Sequence, residues 1–429
     1  MSIQNSAKKE QDRQAAEERY RIGAEEYTEG RLEQAAISLG NAEGFFYLLG
    51  DFQRAADCRA LIADIERQLG LLEQSTSSYW CAIQLYRDTG RTGDAAQSLL
   101  ALGHVERQLG HLDQAQEVYF LAQQLYQSLP QGPALGHVAL ALGHIEIQRV
   151  HLEQAGQYYQ EALGSFRAVE DSGETDALSS LATLQRLMGL FSEAEANCRL
   201  GLERYRESED TSGEINALTD LGSIYLDAGR LEQADQFFAE ALEVARSADY
   251  AQGDGGAYLG VAEVDLRQGQ VDQALLGAQA ALLAYTSYRY DVGIANAQRL
   301  LAEIHLQLGQ LSQASSSMEE AIRLYKQHVF GRGLATALVG LGEIQRRRGL
   351  LVDAIRTFLQ GREKARQWGL SLVESRALLG LGDLYRELGQ LELAQQLYLE
   401  ARAYIERSAL AAGTQWLAEA DLRLASLPR

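Results

Sequence analysis

Residues 101–115 read ALGHVERQLGHLDQA, and residues 141–155 read ALGHIEIQRVHLEQA. Alone, the first stretch offers His104, Glu106, His111 and Asp113 within ten residues, a grouping that suggests a metal site or an acid–base pair. Its recurrence forty residues on points to architecture instead. Glycines fall at Gly30, Gly70, Gly110, Gly189, Gly229, Gly269, Gly309, Gly349 and Gly389, with Val150 in the one missing place. The spacing is 40 throughout, except 39 between Val150 and Gly189. Repeats of this length mark stacked arrays, in which each unit buries its apolar face only against its neighbours.

Each unit reads as two helices. Before the turn stands a small, apolar pattern such as Leu102-Gly103-x-Val105, Leu142-Gly143-x-Ile145 or Leu341-Gly342-x-Ile344. Helical spacing puts these residues on one face. A helical glycine costs up to about 1 kcal/mol in propensity, so close packing must offset it. After the turn comes x-Leu-acid-Gln-Ala, as in Leu112-Asp113-Gln114-Ala115. The acid falls in the first helical turn, where it meets unpaired N–H groups and the positive dipole end. A large residue follows four after the alanine and a small one three later, as in Tyr119 and Ala122 or Tyr398 and Ala401. Gly90, Gly132, Gly173, Gly213, Gly253, Gly293 and Gly333 are read as the ends of the second helices.

The bulk composition agrees with an all-α chain. Three prolines in 429 residues leave helix interiors unbroken. Cys58, Cys81 and Cys198 are odd in number and widely spaced, with no CxxC, which suits a reducing compartment and offers neither a disulfide nor a zinc framework. No apolar run is long enough to span a membrane and the first residues carry no signal-peptide core, so the expected setting is the cytoplasm. A net charge of −20 argues against a nucleic-acid backbone as partner. The charge is uneven: residues 1–300 hold 23 basic and 45 acidic residues, residues 301–429 hold 16 and 14.

The pattern resembles the tetratricopeptide repeat. Leu102, Gly103, Gly110, Leu112, Ala115, Tyr119 and Ala122 match its signature positions. The closing proline is absent, and the period is 40 where the family's is about 34. The longer period is similar to that of spindle-orientation adaptors of the Pins/LGN type, of kinesin light chain, and of sensor domains in bacterial activators of the maltose-regulon type. The resemblance implies a right-handed α-solenoid of about ten hairpins, one domain over residues 1–429, closed by a capping helix over 411–427. It further implies a concave groove lined by first helices that takes a peptide or a partner's helix.

Transferred unit by unit, the resemblance nominates Asp64, Arg67, His104, Arg107, His137, His144, Asn216, Glu263, Arg267, Asn296, Arg299, Glu303, Glu343, Arg346, Arg347, Arg376, Asp383 and Arg386 as groove residues. Four units repeat an acid or histidine followed three residues later by arginine: Asp64/Arg67, His104/Arg107, Glu343/Arg346 and Asp383/Arg386. Such pairs either clasp a peptide through charge-assisted hydrogen bonds or support their own helix at i,i+3 spacing. A basic patch is expected from Arg346, Arg347, Arg348, Arg356, Arg362, Lys364 and Arg366, suited to an acidic partner segment or the acidic middle of a second copy. The acidic part would suit basic residues of a partner.

Enzyme signatures are missing: no GxxxxGK[ST], HExxH or GxSxG occurs. The histidines pair at seven-residue spacing, about 10 Å along a helix, against zinc–nitrogen bonds of about 2 Å. No catalytic residue, metal or cofactor is assigned. The expected function is a non-catalytic protein- or peptide-binding scaffold or adaptor. The alternatives are a ligand- or peptide-sensing subunit acting through a separate effector, and a self-assembling structural solenoid that forms a homo-oligomer.

Overall fold

The computed structural model describes residues 2–130, 132–149, 151–248, 254–328, 330–408 and 413–427. These form twenty-one helices. Helix α1 (Ser2–Thr28) pairs with α2 (Leu32–Leu49), α3 (Phe52–Gln68) with α4 (Leu72–Asp88), α5 (Thr92–Gln108) with α6 (Leu112–Gln127), and α7 (Ala134–Gln148) with α8 (Leu152–Ala168). Then α9 (Gly173–Leu187) pairs with α10 (Phe191–Glu207), α11 (Thr211–Asp227) with α12 (Leu231–Ser247), and α13 (Asp254–Arg267) with α14 (Val271–Ser287). Last come α15 (Asp291–Gln307) with α16 (Leu311–Gln327), α17 (Gly331–Arg347) with α18 (Leu351–Gln367), and α19 (Ser371–Glu387) with α20 (Leu391–Ser408), and α21 (Gly413–Ala425) packs on α20. That is the expected series of ten hairpins and a closing helix. The turn at Val150 and the start of the cap at Ala411 lie outside the described residues.

By contacts the chain falls into two compact units, Met1–Glu146 with Gln157–Gly173, and Ile147–Gly156 with Glu174–Arg429. In the second, odd-numbered helices from α11 to α19 pack on their odd neighbours as well as on their even partners, as α17 does on both α18 and α19.

The turn glycines do what the repeat requires. All nine have φ between 73° and 82°, a region that costs a side-chain-bearing residue strain. At Gly110 the glycine N–H donates to Arg107 O at 3.1 Å and the next N–H, of His111, donates to Glu106 O at 2.9 Å. This pair of bonds satisfies the last carbonyls of α5 and reverses the chain. Asp113 sits in the first turn of α6.

The helical glycines have a sharper reason. A Cβ on Gly103 would lie 2.2 Å from the Tyr119 ring, and one on Gly143 2.4 Å from Tyr159. Gly222 on Phe238, Gly342 on Phe358 and Gly382 on Tyr398 repeat the contact at 2.6, 2.8 and 2.4 Å. The close approach is therefore to the hairpin partner's aromatic ring, sixteen residues on. Tyr119, Tyr159, Phe238, Phe358 and Tyr398 are at most 2% exposed, and burying each apolar ring stabilises the stack by about 1.5–3 kcal/mol.

One reading of the sequence needs correcting. Gly173, Gly213, Gly293 and Gly333 do not end the second helices. They lie in the first turn of α9, α11, α15 and α17, where a Cβ would come within 2.0–2.5 Å of Phe166, Tyr205, Tyr285 and Tyr325. They are kept small by the last aromatic of the preceding helix. Gly253 lies outside the described residues.

Candidate functional site

In the unit that contains residues 174–429, a cavity of about 460 Å³ is lined mainly by the odd-numbered helices. Leu306, Met318, Val339, Ile344, Phe358 and Leu379 supply apolar wall. Gly340 and Gly380 also line it, and each packs so closely that a Cβ would come within 2.6 Å of Met318 or 2.4 Å of Phe358. The polar lining holds four carboxylates, of Glu303, Glu343, Asp383 and Glu419, and four guanidiniums, of Arg346, Arg347, Arg376 and Arg423. Six of the residues nominated from the sequence therefore meet here: Glu303, Glu343, Arg346, Arg347, Arg376 and Asp383.

Most of these charges are fixed in place. Glu343 accepts from Arg346 Nη2 at 2.7 Å and Nε at 2.9 Å, and from Arg347 Nε at 2.8 Å. Burial pushes the Glu343 carboxyl up, but these guanidiniums outweigh it and hold it below the usual carboxylate range. Arg346 also reaches Glu387, on the next odd helix. Asp383 accepts from Tyr398 Oη at 2.8 Å and from Arg423 Nε at 3.0 Å, and lies 3.6 Å from Arg386. Arg376 differs. It makes no ion pair among the described residues, and its guanidinium is held 5.1 Å over the Trp416 ring, a cation–π contact that orients it without neutralising it.

The neighbouring floor is tied from helix to helix. Arg299, on α15, bridges Glu263 of α13 at 3.1 Å and Glu303 of its own helix at 2.8 Å. Burial pulls its pKa down, but Glu303 and Glu263 outweigh that and hold it above its usual value. Arg267 donates to Leu226 O at 2.7 Å, linking α13 to α11. Asn296 accepts from Tyr325 Oη at 2.6 Å, while Asn216 is exposed on α11.

The other nominated residues sit in the first unit. Asp64 accepts from Tyr79 Oη at 2.5 Å and lies 3.7 Å from Arg67. Tyr119 Oη meets His104 Nδ1 at 2.8 Å. The rings of His137 and His144 stand edge-on to Phe166 at 4.9 Å and Tyr159 at 5.5 Å. The i,i+3 pairs are thus only part of the story: the position nominated for ligand binding also partners a core tyrosine fifteen residues on. Asp64 with Tyr79, His104 with Tyr119 and Asp383 with Tyr398 follow that rule. Where the core residue has no hydroxyl, as at Met318 and Phe358, the position holds Glu303 and Glu343, which bond arginines instead.

His104 and His111 do not share a helix: His104 is on α5, and His111 precedes α6 and contacts Glu106 at 2.9 Å. The seven-residue argument applies within a helix only to His137 and His144. The expected basic patch is likewise not a field of free cations. Arg348 bonds Ser315 at 3.1 Å, Lys364 bonds Gln367 at 3.0 Å, Arg362 and Arg366 bond Glu374 at 3.3 and 3.0 Å, and exposed Arg356 lies 3.6 Å from Asp353. Repeat arithmetic finds positions but not their partners, so it overcounted these charges. It also overlooked Trp416, Glu419 and Arg423 of α21, which lie outside the repeat.

No helix of the described residues is long and apolar enough to cross a membrane. Residues 173–247 and 333–407 match a tetratricopeptide-repeat family model, residues 296–328 match a second one, and residues 2–129 match the model of the soluble NSF attachment protein, SNAP. No curated protein matches the sequence. Among solved structures, the chain is similar to the Rap conjugation gene regulator of the plasmid pLS20 in complex with a Phr peptide, with TM-score 0.55 and 16% identity over 77% of this chain and 97% of that one. It is also similar to the apo quorum sensor NprR from B. thuringiensis, with TM-score 0.55 and 13% identity over 80% of this chain and 99% of that one. At such identities the likeness is one of fold. Repeat pattern, hairpin geometry and family matches agree: residues 173–247, 296–328 and 333–407 are tetratricopeptide repeats.

Proposed function

We propose that the chain works as a single non-catalytic scaffold or adaptor that captures a peptide segment of a partner in the cavity between α13 and α21. The observation that carries this reading is Arg376, a guanidinium with no ion pair among the described residues, held over Trp416 beside an apolar wall. An apolar side chain of the peptide fills the wall, and Arg376 takes a carboxylate or backbone carbonyl next to it. The paired charges of Glu343 and Asp383 keep the rim in one geometry, which reduces the ordering cost of binding.

The test is selection from a random-peptide display library, with the full chain as bait. Arg376→Glu reverses the one lining cation that has no carboxylate partner among the described residues, so the fold should survive. Selected peptides should bind this variant about tenfold or more weakly, the loss of one charge-assisted contact. Equal binding by parent and variant would contradict the reading.

A second reading, a sensor that passes peptide binding to a separate effector, is favoured by the two similar structures, a gene regulator with a bound peptide and a quorum sensor. It predicts compaction in small-angle scattering when a selected peptide is added; an unchanged radius of gyration argues for the plain scaffold.

A further inference from the structure

The first unit contains a cluster of opposite character, which the peptide cavity does not use. It gathers cationic and titratable side chains from three successive odd helices: Arg67 on α3, His104 and Arg107 on α5, and His137 and His144 on α7. After burial, the groups that act most on His104 are Arg107, His144, Arg67 and His137, two guanidiniums and two imidazoles. Tyr79, Tyr119 and Tyr159 face the cluster from α4, α6 and α8, and Asp64, shared between Arg67 and Tyr79, is the carboxylate beside it. Nε of Arg107 is buried with no hydrogen-bond acceptor. A guanidinium cannot shed its charge, and an unmet buried donor of this kind costs about 1–3 kcal/mol or more.

The hydrogen-bond polarity shows what is on offer. Tyr119 Oη lies 2.8 Å from His104 Nδ1, and the tautomer of the imidazole sets which of the two donates. Burial pushes the Tyr119 hydroxyl up to about 12, so it keeps its proton. In the tautomer whose Nδ1 accepts from Tyr119, Nε2 of His104 carries the ring proton and is a further donor. The cluster is a set of donors short of one acceptor. Burial first, and then Arg107, lower both His104 and His144 to about 4, so the imidazoles are neutral at pH 7 while nothing negative is present.

We propose that Arg107, with Arg67 and the imidazoles of His104, His137 and His144, forms a seat for an oxyanion, a carboxylate or a sulfate-like group, and that filling the seat draws protons onto His104 and His144. The bound negative charge favours the imidazolium forms, and imidazolium favours the anion, so affinity rises as the pH falls. Asp64 opposes this only weakly, because Arg67 and Tyr79 already hold it.

Calorimetric titration of the full chain with sulfate and with N-acetylglutamate, at pH 5.5 and 7.5 and constant ionic strength, tests the seat. Buffers of different ionisation enthalpy count the protons taken up. The expected result is binding about tenfold or more tighter at pH 5.5, with uptake of roughly one proton. Preference for sulfate identifies a tetrahedral group as the ligand chemistry, and preference for N-acetylglutamate identifies a carboxylate. Arg107→Gln should abolish binding of both. The double variant His104→Gln, His144→Gln keeps neutral donors and the same net charge at pH 7.5; it should bind there but lose the gain at pH 5.5. Ring ¹⁵N shifts of the parent's histidines, followed during the sulfate titration at pH 5.5, give the same answer without a substitution. Parent binding with no proton uptake, unmoved ring shifts, or a pH gain retained by the double variant would overturn the proposal.

Discussion

Gly103→Ala is expected to destabilise the chain by about 2 kcal/mol, although alanine is the better helix former by about 1 kcal/mol. The added Cβ would sit 2.2 Å from Cε1 of Tyr119, 2.5 Å from Cδ1 and 2.8 Å from Cζ. Tyr119 is fully buried and its hydroxyl is held by His104. Relief requires the ring to leave that bond, at about 1 kcal/mol, or α5 to lift from α6, and overpacking of this kind costs about 1–3 kcal/mol. Gly164, on α8, is the built-in control, since nothing lies within 4 Å of its Cβ position. Gly164→Ala should therefore stabilise by up to about 1 kcal/mol. Amide exchange resolved by helix is the appropriate measurement, because stacked units need not unfold all at once. Faster exchange in α5 and α6 for Gly103→Ala and slower exchange in α8 for Gly164→Ala is the expected pair. Two changes of the same sign would refute the packing account.

Arg299→Met is expected to cost about 2–3 kcal/mol. Removing one partner from a fully buried ion pair costs about 3–5 kcal/mol, because the remaining charge is stranded. Here the loss is smaller, since the side chains of Glu263 and Glu303 are 29% and 28% exposed and solvent screens part of the effect. The deficit should shrink as the pH is lowered and the stranded carboxylates take up protons. The triple variant Glu263→Gln, Arg299→Met, Glu303→Gln removes both stranded charges and should recover most of the loss. Thermal melts of the three chains between pH 4 and 8 decide the matter. A triple variant no more stable than Arg299→Met would show that the methylene stem of Arg299 matters and its charge does not.

The repeat carried most of the fold. Gly110, Leu112, Asp113, Ala115 and Tyr119 each specify a local event, a left-handed turn, a helix start or a core contact, and all recur at one period. Local events of that kind are legible in sequence because each depends on a few neighbouring residues. Gly213 and Gly333 were misplaced because a glycine that ends one helix and a glycine that makes room in the next look alike; only the ring of Tyr205 or Tyr325 tells them apart.

The candidate site was harder to read. Its residue positions followed from the register, but their state did not. Arg346 and Arg376 line the same cavity from successive odd helices, yet one is locked by Glu343 and Glu387 and the other stacks on Trp416 with no ion pair among the described residues. The partners lie about forty residues away, or in a cap that obeys no repeat. The tyrosine rule was present in the sequence as a fifteen-residue spacing. It becomes visible once an acid or histidine is asked where its donor comes from.

The central claim is that a peptide lies in the cavity lined mainly by the odd-numbered helices of residues 174–429 and that no chemistry follows. Hydrogen–deuterium exchange of the full chain, with and without a saturating library-selected peptide, tests it most directly. The account predicts added protection over residues 302–307, 339–347, 376–383 and 416–423, with α14, α16 and α18 unchanged on their outer faces and the peptide recovered intact. Protection confined to the even-numbered helices, or a peptide recovered cleaved or modified, would contradict it.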